Sequence, residues 1–133
     1  MNKLRLLLLA LLLFGTLAVA GESNPYNGRW YANFIDPDGT YQQGRLDVKD
    51  EGGTWQVYVR RFFYMPCERR EVIITVSRAT AEELEFGITN STLRGCDDWH
   101  VKTKRVDEKT LEGELYIEGR PATGKKFTLT RTY

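Results

Sequence analysis

The stretch LEGELYIE, residues 111–118, alternates apolar and polar or small side chains at every second position. Successive side chains of a β-strand point to opposite faces of the sheet. This period of two therefore predicts a strand with one face in a core and the other in water. The same alternation recurs at residues 55–60, 72–77, 84–89 and 126–130. The pattern indicates an all-β protein.

Turn-forming residues separate these segments. In Asp36-Pro-Asp-Gly39 the proline presets φ and the glycine accepts a positive φ, and Asp50-Glu-Gly-Gly53 is a second such turn. Weaker polar turns are expected at residues 78–83, 107–110 and 119–124. We therefore predict eight strands, at residues 28–35, 40–48, 54–63, 71–78, 84–89, 99–106, 110–118 and 125–132.

Short connections between the predicted strands favour antiparallel pairing of neighbours. Eight strands in this order are best stabilised as a closed up-and-down barrel, which leaves no sheet edge, and a two-sheet sandwich is the alternative. Many of the inward positions are bulky, so we expect side chains to fill the interior. The predicted inward set is Trp30, Leu46, Val48, Trp55, Val57, Val59, Val72, Ile74, Val76, Leu84, Phe86, Ile88, Trp99, Val101, Leu115, Ile117, Phe127 and Leu129.

The composition limits the class of function. The chain has 133 residues with 19 basic and 18 acidic side chains, which fits one domain without a strong field of one sign and argues against a nucleic-acid partner. Two cysteines and one histidine leave little for a zinc site or a catalytic relay. The motifs of serine hydrolases, zinc proteases and phosphate-binding loops are missing from the sequence. We therefore expect no enzyme activity, no metal and no cofactor.

The first twenty residues have the layout of a secretory signal peptide. Lys3 and Arg5 precede an apolar run, and small residues at Ala18 and Ala20 predict cleavage after Ala20. Residues 21–133 then form a single β-barrel domain without a membrane span, located in the periplasm or secreted. Export to an oxidising compartment predicts a disulfide between Cys67 and Cys96.

The order of the predicted strands tests that disulfide. Connections after the first, third, fifth and seventh strands of an up-and-down barrel lie at the same end. Cys67 follows the third strand and Cys96 follows the fifth. Both cysteines are therefore expected at one end of the barrel, where a covalent bond would join two loops.

The sequence resembles the calycin group, which contains the lipocalins and the fatty-acid-binding proteins, at its two ends. Gly28-Arg-Trp30 lies on the first predicted strand, and Arg131 lies on the last. The resemblance implies that the Arg131 side chain packs across Trp30 where the barrel closes, as a cation–π contact. It also implies a lipocalin-like carrier of a small apolar ligand, although the sequence has no pattern for the helical lid of the fatty-acid-binding proteins.

Two segments near the cysteines contain candidate binding residues. Residues 60–70 combine four arginines with three aromatic residues and a methionine, which is the composition that protein interfaces concentrate. Residues 90–100 form a long loop between strands. From these segments and the end of the loop we select the partner-binding candidates Arg60, Phe62, Tyr64, Met65, Arg69, Arg70, Arg94 and Trp99.

Residues 90–100 also contain polar side chains that could bind a metal, stabilise a turn or carry a glycan. Asp97, Asp98 and His100 lack the spacing of known metal sites, so we expect the aspartates to accept hydrogen bonds from turn amides or to pair with arginines. Asn90-Ser-Thr92 matches the glycosylation sequon.

The sequence thus favours an exported, non-enzymatic binding module. The leading hypothesis is recognition of an exported protein partner through the loops that the disulfide would join. The alternative is a carrier for a small hydrophobic ligand inside the barrel, and a purely structural envelope component is a third interpretation.

Overall fold

The computed structural model describes residues 23–58, 67, 70–120 and 124–131. Within them lie eight strands: β1 (Gly28–Ile35), β2 (Tyr41–Lys49), β3 (Gly52–Val57), β4 (Val72–Ala79), β5 (Glu83–Ile88), β6 (Trp99–Asp107), β7 (Thr110–Ile117) and β8 (Lys125–Thr130). The predicted boundaries agree within two residues, except that β3 ends at Val57 whereas the third predicted strand runs to residue 63. Residues 59–63 of the third predicted strand lie outside the described residues, as does the predicted signal peptide.

All eight strands form one closed antiparallel barrel in sequence order. β1 pairs with β2 on one side and with β8 on the other, where Ala32 lies opposite Leu129 and Phe34 opposite Phe127. The barrel prediction is therefore confirmed over the sandwich, since closure satisfies the edges that a sandwich would expose. No helix within the described ranges has the length and apolar character that a bilayer crossing requires.

Aromatic rings from several strands meet inside the barrel. The ring centroid of Phe34 lies 5.3 Å from those of Trp55 and Phe127, and 6.1 Å from that of Trp99. Gly44 makes room for one of these rings, because a Cβ atom at that position would lie 2.8 Å from Cη2 of Trp55. The rings cross the space that an internal ligand would need, as the bulky inward set predicts.

The predicted inward set agrees closely with the core. Val76 and Ile117 are partly buried and pack against the core, while Val59 lies outside the described residues. Every other member of the set is buried. Among the described residues, the prediction omitted four members of the apolar core, which are Tyr26, Ala32, Phe34 and Leu111.

One end of the barrel is closed by a stack of side chains around Trp30. The indole Nε1 of Trp30 donates to the carbonyl of Tyr26 at 2.8 Å, and the guanidinium carbon of Arg131 lies 4.1 Å from the Trp30 ring centroid. The hydroxyl of Tyr26 donates to the Thr80 carbonyl at 2.5 Å. The contact expected from the calycin resemblance is therefore confirmed. We call this end, with the turns at residues 50–51, 80–82 and 108–109, the closed end.

Candidate functional site

The opposite end of the barrel carries the connections at residues 36–40, 58–71, 89–98 and 118–124, and we call it the loop end. A disulfide joins Cys67 to Cys96 there, with their Cα atoms 5.5 Å apart. Both the predicted pairing and the predicted common end are confirmed. A disulfide of this kind is consistent with an oxidising compartment.

The β5–β6 connection is held in shape by its own polar groups. The Asp98 carboxylate accepts from the amide of Ser91 at 2.8 Å and from its hydroxyl at 3.1 Å. The backbone carbonyl of Asp98 accepts from the amide of Glu118, which ties the connection to the end of β7. Together with the disulfide, these bonds hold the loop in one conformation.

Asp97, Asp98 and His100, near the end of this loop, each contact a different partner. Asp98 satisfies a turn amide, Asp97 forms an ion pair with Arg120 at 3.6 Å, and His100 lies 3.8 Å from the carboxylate of Glu118. The expectation that the aspartates serve turn amides and arginines is confirmed. Among the described residues, no cluster of three or more histidine, cysteine or acidic side chains could hold a metal ion.

Three of the predicted partner-binding residues can be placed in the structure. Arg70 and Arg94 are exposed in the two connections that the disulfide joins. Trp99 lies at the start of β6 with its ring in the core against Phe34, so it supports the loop from below. The remaining candidates lie outside the described residues: Arg60, Phe62, Tyr64, Met65 and Arg69.

The mouth of the barrel at the loop end holds a buried carboxyl group that the sequence analysis did not select. Asp36 is 2% exposed. One of its oxygens accepts from the amides of Asp38 and Thr40, at 3.1 and 3.0 Å, and the other accepts from the side chain of Gln42 at 3.4 Å. Gly39, with φ of 95°, closes this turn as predicted. The position follows the inward parity of Phe34, which is the signal that could have revealed it.

The surroundings of Asp36 change its acidity. Burial raises the pKa of its carboxyl above the ordinary value, because the charged form loses water. The hydrogen bond between the two side chains lowers the pKa of Asp38, whose carboxylate also accepts from the amide and hydroxyl of Thr40. The β1–β2 connection therefore contains two neighbouring carboxyl groups with pKa values pushed apart.

A shallow cleft of about 310 Å³ lies on the outer surface beside the loop end. His100, Lys102, Tyr116, Glu118 and Arg120 contribute to its lining. Its cationic and anionic side chains lie beside one another, with His100 near Glu118. The cleft therefore extends the polar surface of the loop end.

The sequon at Asn90 has a structural constraint. The Asn90 side chain is 3% exposed, and its backbone carbonyl accepts from the amide of Leu93 inside the turn. A glycosylating enzyme needs the amide nitrogen in solvent. Modification would therefore require this part of the loop to open.

Comparison with known proteins adds no family assignment. No protein-family model matches the chain, and no curated protein matches it either. The eight-stranded antiparallel barrel is compatible with a calycin-like fold.

Proposed function

We propose that this protein is an exported, non-enzymatic binding module that recognises an exported protein partner through its loop end. The observation that carries the proposal is the covalent bond between the two connections on which Arg70 and Arg94 are exposed. A loop that is already ordered loses less conformational entropy when it binds. Arginine is among the residues that protein interfaces concentrate.

The surroundings of the disulfide support a binding surface of mixed charge. Arg70 and Arg94 lie on the same barrel end as the ion pair between Asp97 and Arg120. Arg120 and Asp97 are largely exposed, so their mutual attraction is weak and either group can exchange its partner. A protein surface with complementary charges could therefore engage this end without a large desolvation cost.

The alternative carrier function receives less support from the interior. The rings of Phe34, Trp55, Phe86, Trp99 and Phe127 are packed together across the barrel. An apolar ligand would have to displace part of this packing. The confirmed stack of Arg131 on Trp30 supports a calycin-like closure, and in this proposal that closure serves as a rigid scaffold for the loops.

The proposal is tested by charge reversal at the loop end. The purified wild-type protein and the Arg70→Glu/Arg94→Glu variant are immobilised and exposed to exported proteins from the same source, and captured proteins are identified by mass spectrometry. We expect one partner to be captured by the wild type in near-stoichiometric amount and to be lost from the variant, because the variant presents two charges of the wrong sign.

The matched control is Lys49→Glu/Lys104→Glu, which makes the same charge change at two exposed positions away from the loop end. This control should capture the partner as the wild type does. Equal capture by the loop-end variant, or equal loss from the control, would contradict recognition through the loop end.

A further inference from the structure

The outer surface of β1, β2 and β3 presents an ordered array of tyrosine and amide side chains. The strand registers place Asn33 opposite Gln43, and Gln43 opposite Tyr58 through the continuation of the β2–β3 ladder. In the next row toward the closed end, Tyr31 lies opposite Arg45, which lies opposite Gln56. Tyr41 lies one row further toward the loop end. We call the set Tyr31, Asn33, Tyr41, Gln43, Gln56 and Tyr58 the tyrosine face.

The three tyrosine side chains of this face are exposed rather than packed. Tyr31 is 40% exposed, Tyr41 58% and Tyr58 43%. From the spacing of strands and of alternate residues along a strand, their Cα atoms are about 8–14 Å apart. The rings are therefore separate contact points on one surface, spaced for a ligand with several units rather than for a single small molecule.

Hydrogen bonds between the side chains fix part of the array in advance. The Asn33 side-chain oxygen accepts from the Tyr41 hydroxyl at 2.7 Å and from the Gln43 amide at 3.1 Å. Because that oxygen is engaged on the sheet, the amide nitrogen of Asn33 is directed away from these partners. Amide and phenol groups supply both donors and acceptors, which vicinal hydroxyl groups of a ligand can match.

Among the residues that the structure describes, four charged groups beside the tyrosine face form ion pairs with one another. Arg29 and Arg45 both contact Asp47, at 2.8 and 3.2 Å, and Arg45 also contacts Glu71 at 3.2 Å. Two positive and two negative charges are thereby paired. The complementary ligand for such a face is uncharged, because these four paired groups leave no excess charge for an ionic ligand to balance.

We propose that the tyrosine face binds an uncharged, hydroxyl-rich chain, namely a neutral oligosaccharide or polysaccharide. The exposed rings stack against the C–H faces of sugar units, which carry the partial positive charge that the face of an aromatic ring attracts. The amides between the rings exchange hydrogen bonds with the hydroxyl groups at the sugar edges. The tyrosine face borders the loop end at Tyr58, but it contains neither Arg70 nor Arg94, so different variants test the two proposals.

The distribution of polarity distinguishes this ligand from a protein partner. The centre of a protein interface is an apolar patch that becomes fully desolvated. The central row of this face instead contains the amides of Asn33 and Gln43, and the exposed Ile73 lies opposite Thr54, outside the tyrosine face. Amides between separated rings suit a ligand that is itself amphipathic along its length.

The test measures binding of soluble neutral polysaccharides by isothermal titration calorimetry, with dextran, laminarin and xylan as probes and alginate as the anionic comparison. We expect at least one neutral polysaccharide to bind, with an affinity that added salt leaves unchanged because no net charge takes part. Tyr41→Ala and Tyr58→Ala should each weaken binding by about tenfold, the effect of losing one stacking contact.

Two controls separate stacking from general damage. Tyr58→Phe keeps the ring and should bind nearly as the wild type does, and Tyr116→Ala removes a tyrosine from the outer surface of β7 and should have no effect. Failure of all neutral probes to bind, binding of alginate alone, or equal binding by Tyr41→Ala/Tyr58→Ala would overturn the proposal. Loss of a captured protein from that double variant, without any polysaccharide binding, would identify a protein interface instead.

Discussion

The two ends of the barrel are organised by different forces. At the closed end, short turns surround the buried side chains of Tyr26 and Trp30, and the Arg131 side chain covers the indole. At the loop end, longer connections are held by a disulfide, by the Asp98 carboxylate and by the buried Asp36 carboxyl. The closed end is held by buried rings and by the Arg131 stack, whereas the loop end adds a covalent bond and polar groups to the apolar core beneath it.

Under the proposed function, this difference separates the part of the barrel that provides stability from the part that binds. Buried rings gain free energy from leaving water, so they are suited to closing a barrel. Polar groups and a cross-link gain less from burial, but they hold exposed loops in one conformation without requiring an apolar surface. The loop end can therefore hold charged side chains such as Arg70 and Arg94 in solvent.

The largest expected effect is at the closed end. Trp30→Ala should lower the free energy of unfolding by about 3–5 kcal/mol, because it leaves a cavity and removes the surface on which Arg131 stacks. Urea unfolding followed by circular dichroism measures this change. Tyr31→Ala, the exposed neighbour, should cost about 0.5 kcal/mol or less. A Trp30 variant as stable as this control would contradict the role assigned to the closed end.

The next effect is at the loop end. Cys67→Ala/Cys96→Ala should lower the free energy of unfolding by about 3–4 kcal/mol, since the unfolded chain regains the entropy of an open loop between residues 29 positions apart. Hydrogen exchange should accelerate at the Leu93 and Cys96 amides and change little at the Asp50 amide. Equal acceleration at both ends would show that the disulfide does not act locally.

The smallest effect concerns pH. Because burial raises the folded-state pKa of Asp36, the folded protein holds that proton more tightly than the unfolded chain does. The contribution of protonated Asp36 to the free energy of unfolding is fully present below the pKa that Asp36 has in the unfolded chain. It is lost as the pH rises through the higher pKa that Asp36 has in the folded protein. Asp36→Asn should remove this loss, which thermal unfolding between about pH 4 and 8 would detect as a flatter profile.

Asp38→Asn supplies the opposite control for pH. The pKa of Asp38 is lowered, chiefly by its hydrogen bond to Asp36, so its contribution to stability is present above the unfolded pKa and lost on acidification. This variant should lose stability at neutral pH, while Asp36→Asn should not. A steeper profile for Asp36→Asn than for the wild type would contradict the assignment of the raised pKa.

Most of the fold could be predicted from the sequence because the strands have one buried face. The alternation in residues 111–118 placed β7, and similar patterns placed its neighbours. The burial of Tyr26 could not be predicted, because Tyr26 precedes β1 and belongs to no periodic pattern. Its burial depends on tertiary contacts with Trp30 and Thr80.

Less of the candidate site could be predicted. The spacing of Cys67 and Cys96 in the strand order was sufficient to place both at one end. The sequence predicts Asp36 only as a turn residue. Its burial at the mouth of the barrel also involves Gln42, which donates to it across the β1–β2 pair. The tyrosine face could not be predicted for the same reason, since Tyr31 lies on β1, Tyr41 lies on β2 and Tyr58 directly follows β3.

The sequence by itself determined the class of fold, the strand order and the pairing of the cysteines. These properties follow from local periodicity and from the small number of ways in which short connections join antiparallel strands. The tertiary structure alone decided which polar side chains became neighbours, because register across the barrel brings together residues that are distant in the chain. This register places Asp36 within hydrogen-bonding distance of Gln42, and it places Tyr58 beside Gln43.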